Sequence, residues 1–132
     1  MIVVIVASAT IVAAIVARAL ASMGRRDPRL WLPVFRAKRK MKRLAKARGV
    51  PVGLFHFGAT AIDPKYLSVW ITTEKDYERD LLKDDPEFEI ECRGQLLKCG
   101  YPATAVPLVG ITMQSQQTVD KNSGGRWVNA IQ

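Results

Sequence analysis

Apolar and charged positions are sharply segregated along this chain. Residues 1–17 (MIVVIVASATIVAAIVA) carry no charged side chain and are almost entirely Ile, Val and Ala. The uncharged character runs on to Met23, broken only by Arg18. Ile2 to Met23 is 22 residues, about 33 Å of helix at 1.5 Å per residue, which matches a hydrocarbon core of roughly 30 Å. Ile and Val are poor helix formers in water, but lipid offers the backbone no other partner. The pattern predicts a single transmembrane helix over residues 1–24, with Arg18 near enough to its end to reach the headgroups. A buried core helix is the alternative, and 132 residues leave little material to surround one. A cleaved signal peptide is the other: Ala17-Arg18-Ala19 and Ala19-Leu20-Ala21 both fit an A-x-A site. No basic side chain precedes the apolar run, and the basic residues after it resist translocation, so an uncleaved anchor is favoured. Ala9, Ala13, Ala17 and Ala21 recur every four residues, a small-residue ridge through which two spans would pair as a homodimer.

Beyond the span the period changes. Asp27-Pro28 and Leu32-Pro33 punctuate the exit, with Leu30 and Trp31 where an interfacial anchor is expected. From Val34 to Arg48 (VFRAKRKMKRLAKAR) the apolar residues Val34, Ala37, Met41, Leu44 and Ala45 fall on one helical face, and Gly49 and Pro51 end the pattern. Residues 25–50 thus form a connector, a basic amphipathic helix whose apolar side would touch the bilayer.

The remaining stretch, 51–132, predicts a small α+β sandwich of about three strands and two to three helices, with helices on one face. Val52 to Gly58 is a short strand, and Asp63-Pro64 centres a turn. Tyr66 to Thr72 (YLSVWIT) is the most strand-like segment of the chain. A capping-box-like start at Thr73–Asp76 leads into a helix to about Lys83, with Tyr77 and Leu81 on its buried side. Asp85-Pro86 opens a second helix striped by Phe88, Cys92, Leu96 and Cys99, which Gly100 stops; because Phe88, Ile90 and Cys92 also alternate, a strand there competes. Val106 to Ser115 reads as a third strand, edge-bound at Pro107. Gln116 to Gln132 reads as a polar loop, a Gly124-Gly125 turn and a short terminal element. Residues 50–132 are expected to fold alone.

Charge sharpens the connector. Between Arg25 and Arg48 there are eleven Lys or Arg and one acid, Asp27, whereas residues 49–132 hold eight basic and eleven acidic residues, a net of −3. The chain's +8 is therefore local. The contacting residues would be Arg36, Lys38, Arg39, Lys40, Lys42, Arg43, Lys46 and Arg48. Three readings compete for them: anionic inner-leaflet headgroups, at about 1 kcal/mol per nearby basic residue; topology setting alone; and phosphates of a nucleic acid. The last lacks interleaved aromatics and any recognisable nucleic-acid motif.

Candidate chemistry is sparse. Cys92 and Cys99, seven apart on one helix, have Cα atoms about 10 Å apart, beyond the roughly 7 Å that a disulfide spans. They make no zinc site, which needs four ligands. His56 lies between Phe55 and Phe57 without a nucleophile motif. The acids Glu74, Asp76, Glu78, Asp80, Asp84, Asp85, Glu87, Glu89 and Glu91 alternate with Lys75, Arg79, Lys83 and Arg93 as on a solvated helix face, and no metal-loop spacing is present. No cofactor is expected. The one loop of functional composition holds Asp120, Gly124, Gly125, Arg126 and Trp127: glycines admit a close backbone, Arg126 grips anions and Trp127 packs on a ligand, a partner or its own core.

The expectation is a non-enzymatic accessory domain, tethered at the inner membrane by one span and a basic helix. Its N-terminus would be outside, its C-terminal domain cytoplasmic and a protein its partner. A membrane-bound enzyme or ligand sensor with a site around His56, Asp120, Arg126 and Trp127 is the alternative, and nucleic-acid tethering through residues 36–48 the third.

Overall fold

A computed structural model describes residues 28–131. The expected span and its alanine ridge lie outside the described residues. Within them, no helix is long and apolar enough to cross a membrane.

The fold is α+β. Helix α1 (Pro28–Ala47) leads into strand β1 (Gly53–Phe57). A 3-10 turn at Pro64–Tyr66 precedes β2 (Ser68–Thr73), and helices α2 (Asp76–Lys83) and α3 (Pro86–Lys98) cross to β3 (Gly110–Ser115). Helices α4 (Gln116–Ser123) and α5 (Trp127–Ile131) follow. The sheet order is β1-β2-β3. β1 pairs antiparallel with β2, and β2 pairs parallel with β3. The parallel step needs a long crossover, which α2 and α3 supply.

One sheet face is the core. Val69 and Ile71 of β2 are fully buried, beside Leu54 of β1 and Ile111 and Met113 of β3. Against them pack Phe88, Cys92 and Leu96 of α3 and Leu30, Val34, Ala37, Met41 and Ala45 of α1. The apolar side of α1 is therefore part of the same core, and that core is continuous across residue 50. The expectation that Val34, Met41 and Leu44 would face lipid is corrected here. Val34 and Met41 are buried, and Leu44 is half-buried against the cluster. Leu30, read as an interfacial anchor, is buried too.

Helix α1 begins a full turn and a half before the expected Val34 and carries Pro33 inside it. An interior proline costs roughly 3 kcal/mol. Burying Leu30 and Val34, at about 1.5–3 kcal/mol each, offsets this. At its other end Arg48 locks α1 to α3. Its Nε lies 2.8 Å from Asp85 Oδ2 and its NH2 3.0 Å from Glu91 Oε2, while the guanidinium sits 5.1 Å from the Phe88 ring centre.

Three local readings are corrected. In α2 the buried residues are Glu78 and Leu82, whereas Tyr77 and Leu81 are exposed. An i, i+4 pair exists one residue further along, and it wins because the Glu78 carboxylate accepts from the Lys75 N–H at 3.0 Å, closing half of a capping box. Residues 106–108 form a 3-10 turn, not strand, because Pro107 has no N–H for a ladder and Arg93 takes the Val106 and Val109 carbonyls at 2.8 and 2.7 Å. Residues 116–123 form helix, not loop. Ser115 Oγ accepts from the Thr118 N–H at 3.1 Å, and Gly124 at φ 62° ends the helix. The strand alternative at 88–92 is overturned, since α3 covers it.

Candidate functional site

Because one side of α1 is committed to the core, its other side is a fixed outward surface. Arg36, Arg39, Lys40, Lys42, Arg43 and Lys46 are exposed on it, and α1 contains no acidic residue. Lys38 is half-buried and takes part in an interaction. Arg48 departs from the group, because its guanidinium is spent on Asp85, Glu91 and the Leu44 carbonyl. The partnership works both ways: Arg48 is held more firmly protonated, first by its Asp85 hydrogen bond, and Asp85 is held below the usual carboxylate range by Arg48.

The N-terminal end of the same surface is apolar. Trp31 and Phe35 are each 43 % exposed, and their rings stack 5.5 Å apart at 14°. Leu32 beside them is 41 % exposed. Trp31 is legible in the sequence as an anchor and Phe35 is not, because Val34 beside it takes up the helical period. The i, i+4 spacing of Trp31 and Phe35 was the available signal.

The 120–127 loop is built otherwise. Gly124 and Gly125 at φ 62° and 79° turn the chain, and the Gly125 N–H donates to the Val119 carbonyl at 3.1 Å. That turn swings Trp127 onto the outer sheet face. There its ring meets Phe55 at 5.9 Å and Trp70 at 6.4 Å, both edge-on, and Phe55 stacks on Trp70 at 5.7 Å. The Trp127 indole N–H donates to Gln116 Oε1 at 2.7 Å, and Gln116 Nε2 donates to Asp120 at 2.8 Å. Trp127 thus joins a half-buried aromatic cluster on the outer sheet face. Arg126 and Asp120 are exposed.

His56 is not near that cluster. It pairs in register with Val69 on the opposite sheet face from Phe55 and Trp70, so the residues of the expected enzyme or sensor site are not brought together. Asp76 accepts hydrogen bonds from the Ser115 hydroxyl and, at 2.6 Å, from the Thr118 hydroxyl, and Arg79 donates to Gln114 and Thr118 at 2.8 Å each. These bonds, Ser115 first, hold the Asp76 carboxyl below its ordinary range and tie α2 to the β3–α4 junction. An open depression of about 340 Å³ is lined by Tyr77, Asp80, Leu81, Asp84 and Asp85, none of them near the 120–127 loop in sequence. No cluster of three His, Cys, Asp or Glu among the described residues is placed to hold a metal. Cys92 is buried, which pushes its thiol up to about 12, and Cys99 is half-buried; both are free.

Comparisons with known protein families, with curated proteins and with solved structures return no match.

Proposed function

We propose that this protein is a non-enzymatic accessory domain held at the inner membrane surface, with residues 1–24 as its anchor and the outward side of α1 as its contact with anionic lipid. The observation that carries this reading is the outward side itself. Six exposed cations share it without an acid, and the stacked Trp31–Phe35 pair lies at the end from which the apolar segment departs. With the inner side of α1 buried, the contact is one of charge plus a three-residue apolar foothold, not insertion of an amphipathic face. The N-terminus would lie outside and the folded domain in the cytoplasm, as the basic residues on the C-terminal side of the span favour.

The test uses residues 25–132 and phosphatidylserine vesicles. Each cation near the surface contributes about 1 kcal/mol at most, less as contacts saturate, so changing Arg36, Arg39, Lys40 and Arg43 to Gln should weaken binding by roughly one to three orders of magnitude. Arg48→Gln should leave binding nearly unchanged. Unaltered vesicle binding with lost affinity for duplex DNA or RNA would hand the surface to nucleic acid. Alkaline carbonate should leave the full chain in the membrane pellet, and a C-terminal reporter active only outside the cytoplasm should stay silent.

A further inference from the structure

We propose that the outward side of α3 is the docking surface for a second copy of this chain, in an antiparallel helix pair about a twofold axis between Arg93 and Gly94. Ile90 and Leu97, seven apart and so on one side of the helix, are 60 % and 52 % exposed. Gly94 lies between them at mid-helix, where glycine destabilises relative to alanine. A Cβ at Gly94 would meet no atom within 4 Å, so nothing among the described residues requires a glycine there. What a glycine between two exposed apolar residues allows is close approach of another backbone.

An antiparallel pairing satisfies the whole seam. Residues equidistant from the 93/94 midpoint come level, which sets Ile90 against Leu97 of the second copy, twice over. Gly94 then lies beside the axis, where the helices are closest. At 1.5 Å per residue, Glu87 lies about 10 Å from the axis and Lys98 about 7 Å. At 100° per residue both fall on the same flank, so each Glu87 meets Lys98 of the second copy. Both side chains are exposed, and neither has an ion pair among the described residues. The other charged neighbours are already engaged: Arg93 with Glu89 and the 106 and 109 carbonyls, Glu91 with Arg48. Helix α1 lies on the Glu91 flank, and a twofold axis normal to the seam keeps both α1 helices on one face of the pair.

A single helix pair buries less than the roughly 1,200 Å² of a stable interface, so the pairing is weak in dilute solution and dominates where copies are concentrated. The full chain in lipid membranes is therefore the material to test. Gly94→Cys, in a Cys99→Ser background, should form a disulfide-linked dimer on mild oxidation, and Lys121→Cys should not. Gly94→Leu should retain or raise the thermal midpoint, because its Cβ enters open space, yet lower the association constant read by energy transfer between copies at least tenfold. Glu87→Lys should weaken association, and the pair Glu87→Lys with Lys98→Glu should restore it. No cross-link above the Lys121→Cys level, a dimer that survives Gly94→Leu, or a charge swap that restores nothing would each overturn the proposal. So would a dimer abolished by Ala13→Leu alone and untouched by Gly94→Leu, which would assign pairing to the alanine ridge.

Discussion

Met41→Ala separates the two roles open to α1. Met41 is fully buried in the hydrophobic cluster that α1 shares with α3 and the sheet, so truncation removes the transfer free energy of its lost atoms and leaves a cavity. Such changes cost about 2–5 kcal/mol. A chain of this size is stable by only about 5–15 kcal/mol, so at the middle of both ranges the variant should lose about a third of its stability. Urea unfolding of residues 25–132, followed by tryptophan fluorescence, reads this as a lower midpoint at unchanged slope. Lys40→Ala, one residue away and exposed, should stay within about 0.5 kcal/mol. The same reasoning covers removal of the helix. Leu30, Val34 and Met41, at about 1.5–3 kcal/mol each, together approach the whole stability, so residues 50–132 alone should give the narrow amide dispersion of an unfolded chain. If Met41→Ala leaves the midpoint in place while weakening attachment to uncharged vesicles, α1 is a lipid-facing helix and its burial in the core is refuted.

Acid should act through two carboxyls. Asp76, held down by the Ser115 and Thr118 hydroxyls, and Asp85, held down by Arg48, ionise more readily folded than unfolded. Their contribution is present above the unfolded carboxylate value near 4 and is lost as pH falls through the lower folded values. Urea midpoints should drop below about pH 4, and Asp85→Asn should flatten that drop; an unchanged profile in the variant would remove Asp85 from the account. Thiol labelling at pH 8 should modify half-buried Cys99 quickly, and Cys92, whose thiol is pushed up to about 12, only after unfolding. Equal labelling rates would show that α3 does not bury Cys92.

Legibility followed the strength of the local signal. β1, β2 and α3 were readable because alternation, aromatic and β-branched content, the Asp85-Pro86 start and the Gly100 stop all agreed. Helix α4 was missed because Val119 is its only buried residue, so no apolar period exists to detect. Its signals were the caps alone, Ser115 and Gly124. The partner of α1's apolar face was illegible in principle: periodicity reports that a face seeks burial, not whether lipid or protein covers it. Trp127 is legible as a residue that packs on something, but its neighbours Phe55 and Trp70 lie 72 and 57 positions away in sequence, a distance that no local pattern bridges. Arg48 looked like one more cation in a basic run, and only Asp85 and Glu91, far along the chain, set it apart.

If residues 1–24 anchor the protein as proposed, the burial of α1 in the core also limits how the domain can stand relative to that anchor. Only residues 24–27 separate the apolar segment ending at Met23 from the first residue of α1. Five Cα–Cα steps span at most about 17 Å when fully extended. A span ending at Met23 would therefore hold the start of α1 within that distance of the bilayer. Residue 36 lies about 12 Å along α1 from its start, and screening at physiological salt has a length of about 8 Å, so on the membrane reading its cations would feel anionic headgroups only when α1 leans toward the bilayer. Those near residue 46, about 15 Å further along the helix, would feel them only when α1 lies along the surface. A separate flexible connector would leave that choice to the linker. Here α1 is clamped to the core by Met41 at its middle and Arg48 at its end, so tilting the helix tilts the whole domain. On the membrane reading, charge removed at Lys42, Arg43 and Lys46 would thus change how the domain tilts on the surface, whereas charge removed at Arg36 and Arg39 would change how tightly it is held.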